Sequence, residues 1–297
     1  MPTIFRLNSD RFFRDGFMPP LEIPGFEQLT AREDLSRADC LMVHMPSIAG
    51  IRGRDDLFRL RSIVPKKQIW IADSLESSVH YPVLDDPAFM ALFDIEYSYR
   101  RTADVWTPYV EPDLDLRIKA ADPVLQRNRF CCAFVSSGFN ESGRKDLMQF
   151  LMERFRIDSF GKIYRNRRLW FDKGSATKLK TLRKYTYTLA FENSITEDYV
   201  TEKFFEPLKT GTIPIYLGAP NVQDFAPGEN CYIDASRFPS FDALADYLQT
   251  EDPAQFHVWR EKPLRPEFQA ILGHVKEGVT QLLARLIHRK LAERSLS

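Results

Sequence analysis

FENSITEDYVTEKFFEPLKTGTIPIYLG, Phe191–Gly218, is the stretch on which the reading of this chain turns. An apolar run, Tyr187–Phe191, leads into it and has the character of a strand. Polar residues follow, then a helical segment from about Tyr199 to Lys209, with Gly211 just beyond its end. A second apolar run, Ile213–Leu217, closes the unit. Strand, loop, helix and strand in this order suit a parallel sheet. Ligands of open parallel sheets bind beyond the carboxyl ends of the strands, where the loop carrying Glu192, Asn193, Glu197, Asp198, Tyr199, Glu202 and Lys203 falls.

Outward from this unit the second half alternates strand and helix. Phe130–Ser137 reads as a strand, Arg144–Phe155 and Ala176–Lys184 as helices, Asn230–Asp234 as a strand and Ser240–Gln249 as a helix. In the first half Thr3–Leu7, Cys40–His44, Gln68–Ala72 and Asp94–Tyr97 read as strands, with a helix over Arg54–Ile63. Pro108–Arg129 is charged and carries Pro108, Pro112 and Pro123, which makes it the boundary candidate. The expected architecture is α/β, with two Rossmann-like domains facing a central cleft. Its divisions are residues 1–120, 121–270 and a C-terminal amphipathic helix over 271–297. That helix places Val275, Val279, Leu282, Leu283, Leu286 and Leu291 near one face, beside Arg285, Arg289, Lys290 and Arg294. Packing on the body is the favoured reading, and peripheral membrane contact is the alternative.

Composition excludes several classes. With 41 basic and 41 acidic residues, no bulk charge calls for nucleic acid, so anion binding must be local. Of the four cysteines, Cys131 and Cys132 sit inside the apolar run FCCAFV and read as buried strand residues, not as a disulfide or zinc framework. No apolar run approaches the length of a membrane span, and the first residues show no signal-peptide pattern.

Three segments could carry chemistry. Lys203, at the start of a helix after a strand, can set its ammonium beside backbone N–H groups and hold a phosphate. Glu202 points about 100° away around the helix and can accept from sugar hydroxyls. Tyr199 offers a ring or a phenol. A solvated Glu–Lys helix end with a core tyrosine fits the same residues, and Ser194 with Glu197 fits a capping box that needs no ligand. Pro207 argues for a short or bent helix. In the second segment, SSGFNESGRKDL, Arg144 opens a helix behind a loop with Gly138 and Gly143; this is an anion cradle or a plain strand-to-helix turn. In the third, DSLESSVHYP, either Glu76 or His80 could be a general base. Asp113-Leu114-Asp115 is a weak metal motif in a charged segment.

These residues resemble the signature of the α1,3-fucosyltransferases of glycosyltransferase family 10. The carriers are FENS, DYVTEKF, PL, G and IPIYLG in order, with FVSSGFNESGRKDLMQFL, RIDSFGK, SLESSVH, SYRRTADVWTPY, FDALADYLQ and FHVWR around them. The likeness runs from Gln68 to Arg260 and is thin before it. It implies a GT-B fold, GDP-β-L-fucose as donor, an oligosaccharide acceptor, and inverting transfer to a sugar hydroxyl, usually O3 of N-acetylglucosamine, with no cofactor or essential metal. Carried over, Glu76 is the general base, Arg144 and Lys203 hold the diphosphate, Glu202 binds the ribose, and Tyr199 and Asn193 line the nucleotide site. Gly138 and Ile163 stand where the family's animal enzymes carry cysteines, and no anchor or stem is read before the catalytic region. Both point to a bacterial, cytoplasmic protein, peripheral to the inner membrane in the alternative reading of the tail. Another nucleotide sugar as donor, or a non-catalytic nucleotide-sugar-binding protein, are the competing readings.

Overall fold

The structure, a computed structural model, describes residues 1–7, 21–29, 35–48, 51–121 and 128–296. The described chain divides into two compact units, Met1–Pro108 with His274–Ser297, and Tyr109–Gly273. The sequence division after residue 120 thus meets a structural one after 108, which leaves Pro112 inside the second unit; Pro123 lies outside the described residues.

The first unit holds a six-stranded sheet: β1 (Thr3–Leu7), β2 (Glu27–Leu29), β3 (Cys40–His44), β4 (Ile69–Ser74), β5 (Ile95–Ser98) and β6 (Val105–Trp106). The order is β2-β1-β3-β4-β5-β6, and every pairing is parallel. The strands read as unbroken apolar runs because both faces are covered. Side chains alternate across the sheet. Cys40 and Met42 face one core, with Ile69, Ile71 and Ile95; Leu41 and Val43 face the other, with Trp70 and Ala72. Helix α1 (Ile51–Ile63) sends Leu57 into the second of these cores.

The second unit holds a five-stranded sheet: β7 (Arg129–Ala133), β8 (Ile157–Ser159), β9 (Tyr185–Phe191), β10 (Ile213–Leu217) and β11 (Ile233–Asp234). Its order is β11-β10-β9-β7-β8, again all parallel. Its helices are α2 (Leu114–Ala120), α3 (Arg144–Arg154), α4 (Ser175–Leu182), α5 (Glu202–Lys209) and α6 (Phe241–Thr250). Cys131 packs with Leu147, Leu151, Leu244 and Leu248 on one face, while Cys132 packs with Leu182 and Tyr185 on the other. All four cysteines are free and buried.

Several elements depart from the expected ones. α2 occupies the proline-marked segment read as a boundary. Arg260 holds it, donating to Ile118 O at 2.5 Å and, from its other nitrogen, to Leu208 O at 3.0 Å. The strand expected from Asn230 begins only at Ile233, since Asn230 takes a left-handed φ of 53° that ends extended backbone. The tail is two helices, α7 (Pro266–Glu277) and α8 (Val279–Leu296), broken at Gly278 with φ 91°. α8 has its apolar face in the first unit's core: Leu283 and Ile287 are fully buried against Ile4, Ile71 and Tyr97. Its last turn is fastened there too, with Arg294 donating to Gln68 O at 2.7 Å and pairing with Asp94. That burial agrees with the packing favoured from the sequence, and the apolar face on which the membrane alternative relies is inside the protein.

Candidate functional site

β9 and β10 run side by side, with Phe191 opposite Leu217, and their carboxyl ends open the site. The chain past Phe191 stays laced to β10 through Glu192 N, which donates to Leu217 O at 2.8 Å. The Glu192 side chain then turns inward and is wholly buried. A carboxylate there requires partners, and Thr201 supplies them: its N–H donates at 2.8 Å and its hydroxyl lies 2.9 Å from both carboxylate oxygens. Lys203 Nζ completes the set at 3.3 Å. Gly218 closes the other side, where any Cβ would stand 2.6 Å from Glu192 Cγ and 2.5 Å from Tyr216 Oη.

Thr201 is also the N-cap of α5, accepting from Lys203 N at 3.4 Å. The helix therefore begins three residues later than the sequence indicates. Ser194 is not its cap: it accepts from Thr196 Oγ1 at 3.3 Å, well upstream. Pro207 lies in the last turn, where its carbonyl accepts from Thr210 N and Thr212 N and the helix ends.

Lys203 does not stand alone. Its ammonium lies 3.3 Å from Glu192, 3.3 Å from Glu202 and 3.0 Å from Thr201 Oγ1. Glu202 and Lys203 stand about 100° apart around the helix, and the ends of their side chains nonetheless meet. Burial opposes the Lys203 charge, but Glu192 and Glu202 outweigh it and raise its pKa. For Glu192 burial wins and raises the pKa, with Lys203 and Thr201 pulling back. Glu202 is held lower: burial would raise its pKa, but Lys203 and Lys178 overcome that. The two carboxylates differ in freedom. Glu192 is sealed in, whereas the Glu202 side chain is 43% exposed and can leave the lysine to a ligand.

A second loop is tied to the first. Ser142 Oγ donates to Glu192 O at 2.6 Å. Arg144, 1% exposed at the start of α3, donates from Nη1 to Phe191 O at 3.2 Å and from Nη2 to Ser137 O at 2.9 Å. Burial lowers the Arg144 pKa, with Glu192 and Tyr199 opposing. Its Nε and the Oδ1 of buried Asn193 lack protein partners. Buried polar atoms seldom go unpaired, so these two mark where a bound molecule would supply hydrogen bonds. Tyr199 is buried with its ring edge-on to Tyr109, 6.3 Å between centroids. The turn before it is set by Asp198 at φ 63° and by reciprocal hydrogen bonds of 3.0 and 2.9 Å with Asn221.

The structure thus places these five residues in the second unit, past the carboxyl ends of its strands: Asn193 and Tyr199 in the loop after β9, Arg144 at the first position of α3, and Glu202 and Lys203 in the first turn of α5. Glu76 belongs to the first unit, half-buried past the end of β4, with its carbonyl accepting from Ser74 Oγ at 3.1 Å. Burial and the Glu76 charge raise the pKa of Tyr81 nearby. His80 sits in the turn that follows, its N–H donating to Ser77 O at 3.0 Å. Asp113 accepts from Arg117 Nε at 2.7 Å, and among the described residues no group of three His, Cys, Asp or Glu is arranged to hold a metal. Glu192, Thr201 and Ser142 are the residues that sequence reasoning left without a role. The available signal was an acid directly after the apolar strand TLAF, with a Thr-Glu-Lys nine residues on.

Two all-parallel α/β units of this kind make the GT-B fold of glycosyltransferases. A crystal structure of an alpha1,3-fucosyltransferase superposes over 94% of this chain and 90% of its own, with a TM-score of 0.61 at 16% identity. The same comparison with a GDP-fucose complex of an alpha1,3-fucosyltransferase gives a TM-score of 0.51 at 16% identity, with the same coverage. The family model for glycosyltransferase family 10 (fucosyltransferase), C-terminal, matches residues 124–291, and the fucosyltransferase N-terminal model matches residues 22–110. The chain belongs to glycosyltransferase family 10, the fucosyltransferase family. Among its relatives, GDP-fucose protein O-fucosyltransferase 3 of Xenopus tropicalis is 31% identical over 201 residues, which is 61% of this chain and 42% of that protein. Alpha-(1,3)-fucosyltransferase B of Drosophila melanogaster is 38% identical over 115 residues, 36% of this chain and 26% of that one. The chain thus spans less than half the length of the curated relatives it matches.

Proposed function

We propose that the chain is an inverting fucosyltransferase that moves L-fucose from GDP-β-L-fucose to an acceptor hydroxyl. The observation that carries this is the paired cradle past the ends of β7 and β9: Arg144 at the start of α3 and Asn193 in the loop after β9, both with unpartnered buried atoms, and joined through Ser142 to the Glu192–Lys203 pair. Arg144 and Lys203 hold the diphosphate, Glu202 releases Lys203 and takes the ribose hydroxyls, and Tyr199 and Asn193 line the nucleotide. Glu76 accepts the acceptor's proton as its oxygen bonds to the anomeric carbon. The bond from that carbon to the diphosphate breaks, GDP departs with the electron pair, and the β donor becomes an α product. Cations and helix-terminal dipoles that face the departing diphosphate lower the barrier without a metal being needed, and a placed base contributes roughly 10²–10⁴ in rate.

On this reading the first unit receives the acceptor, and O3 of N-acetylglucosamine is the leading target. Likeness to proteins named protein O-fucosyltransferase supports a second acceptor class, a protein hydroxyl. Transfer assays with GDP-fucose on a glycan panel and on folded protein acceptors separate the two. Glu76→Ala should abolish transfer while GDP binding by calorimetry stays within about twofold, and activity should persist in excess EDTA. Substantial transfer by that variant removes Glu76 from the role. Turnover with GDP-mannose in preference to GDP-fucose would overturn the donor.

A further inference from the structure

The chain as a whole is electrically balanced, but residues 162–184 are not: nine are Lys or Arg, and Asp172 is the single acid. The segment starts just after β8, the edge strand of the second unit, and runs through α4. Its first part is laced to that edge. Asn166 N and Arg167 N donate to Ser159 O at 3.1 and 3.0 Å, and Asn166 exchanges side-chain bonds of 2.8 Å with Ser159 N and Ile157 O. Its far end is equally built. Gly174, at φ 65°, donates to Asp172 Oδ1 at 2.9 Å, and Lys173 N donates to Thr177 Oγ1 at 2.9 Å.

Between these two anchors the loop presents Trp170 and Phe171, 92% and 86% exposed. Two adjacent aromatic rings held out from a well-bonded loop leave a large apolar area in water. Arg168, Lys173, Lys180 and Lys184 are exposed around them, and none has a carboxylate partner among the described residues. The two rings help to line a groove of about 840 Å³, together with Arg129, Arg167, Arg168, Lys173, Lys180 and Lys184. No helix among those described is long and apolar enough to cross a bilayer, and α8 has its apolar face in the core.

We propose that this loop and the outer face of α4 dock the protein on an anionic bilayer surface. Trp170 and Phe171 enter the headgroup and acyl boundary, as Trp and Phe side chains do in interfacial segments. Arg168 and the unpaired lysines meet the phosphates, and the groove accepts a headgroup. Apolar rings ringed by cations suit a phosphate layer over an apolar interior; single-stranded nucleic acid, which also stacks on exposed rings, is the partner that the vesicle test separates. None of the residues lining the groove belongs to the Glu192–Lys203 cluster, so docking and nucleotide binding can be tested apart.

The test uses the full chain with vesicles of phosphatidylcholine alone, and of phosphatidylcholine with one-third phosphatidylglycerol, followed by sedimentation. Binding is expected to the anionic vesicles only, to weaken as salt rises, and to be quenched at Trp170 by brominated acyl chains. Trp170→Ala with Phe171→Ala should lower partitioning at least about tenfold, and Arg168→Glu with Lys173→Glu should do the same. These side chains support little of the fold, so unfolding curves and GDP affinity should match the parent. Absence of sedimentation with anionic vesicles overturns the proposal, as does sedimentation that the aromatic double variant retains. Binding of an oligonucleotide or acidic polypeptide without vesicle binding assigns the patch to a different partner and also overturns it.

Discussion

Glu192→Gln is the sharpest probe of how the site is held together. In the parent the carboxylate accepts from Thr201 N and Oγ1 at 2.8–2.9 Å and pairs with Lys203 at 3.3 Å, all without solvent access of its own. Glutamine keeps the shape and one acceptor oxygen, but its amide presents N–H donors where the carboxylate offered acceptors to Thr201 Oγ1 and Lys203. Breaking a buried pair by removing one charge costs about 3–5 kcal/mol. Lys203 is 21% exposed and keeps Glu202, so the expected loss is nearer about 2–3 kcal/mol. Glu202→Gln removes the other carboxylate from the same lysine, but Glu202 is 43% exposed. An exposed pair is worth at most about 1 kcal/mol, so that variant should unfold close to the parent. The assay is urea unfolding followed by tyrosine and tryptophan fluorescence, with GDP affinity by calorimetry alongside. Glu192→Gln should also weaken GDP by about tenfold, since the lysine loses the group that aims it. Equal stability of the two glutamine variants, or an unchanged unfolding midpoint and GDP affinity in Glu192→Gln, refutes this role for Glu192.

Other outcomes follow from the same geometry. Gly218→Ala sets a methyl 2.5 Å from Tyr216 Oη and 2.6 Å from Glu192 Cγ, and overpacking of this kind should cost about 1–3 kcal/mol in urea unfolding. Burial first, and Arg6 second, push the His44 pKa from 6.5 down to about 4. Because the unfolded chain takes the proton first, this stability is present above pH 6.5 and is lost as pH falls toward 4. Full displacement corresponds to about 3 kcal/mol. Buried Asp73, whose pKa is raised by burial against the pull of Arg6, contributes in the opposite sense, so the measurement is the parent minus His44→Gln at each pH; a flat difference between pH 7.5 and about 4 refutes it. Leu283→Ala in α8 empties a fully buried position in the first unit and should cost about 2–4 kcal/mol, whereas a surface helix would register almost nothing.

Much of the fold was legible locally. Thr3–Leu7, Cys40–His44 and Ile213–Leu217 form strands with the bounds that their apolar runs indicate, because strands covered on both faces are apolar at every position. Ser240 caps α6 through Ala243 N at 3.1 Å, just ahead of a helix whose apolar residues recur at helical spacing. The short edge strands β2, β6 and β11 were less legible. A strand of two or three residues has too little pattern to read, and it exists because a longer neighbour offers it hydrogen bonds. The helix α2 was hidden for a related reason: prolines and charges mark its segment as a linker, but Arg260 and the Lys209–Glu111 pair, at 2.6 Å, hold it against α5.

The sequence alone determined that this is a parallel α/β protein, and it singled out Asn193, Tyr199, Glu202 and Lys203 as candidates, since the strand–loop–helix–strand order and the polar loop sit within one short stretch. It also carried enough of the spaced motif to indicate the family. Only the tertiary structure decided which charges are buried and whom they meet. Glu192 and Lys203 stand eleven positions apart in sequence, yet what makes them a pair is the closure of Gly218 over one side and Thr201 over the other. Arg144 becomes a clamp on β9 through the carbonyl of Phe191, 47 residues away. The terminal helix returns to a sheet begun at Thr3. Burial and partner choice are set by segments far apart in the chain, and the desolvation that decides between a solvated lysine and a positioned one has no local signature.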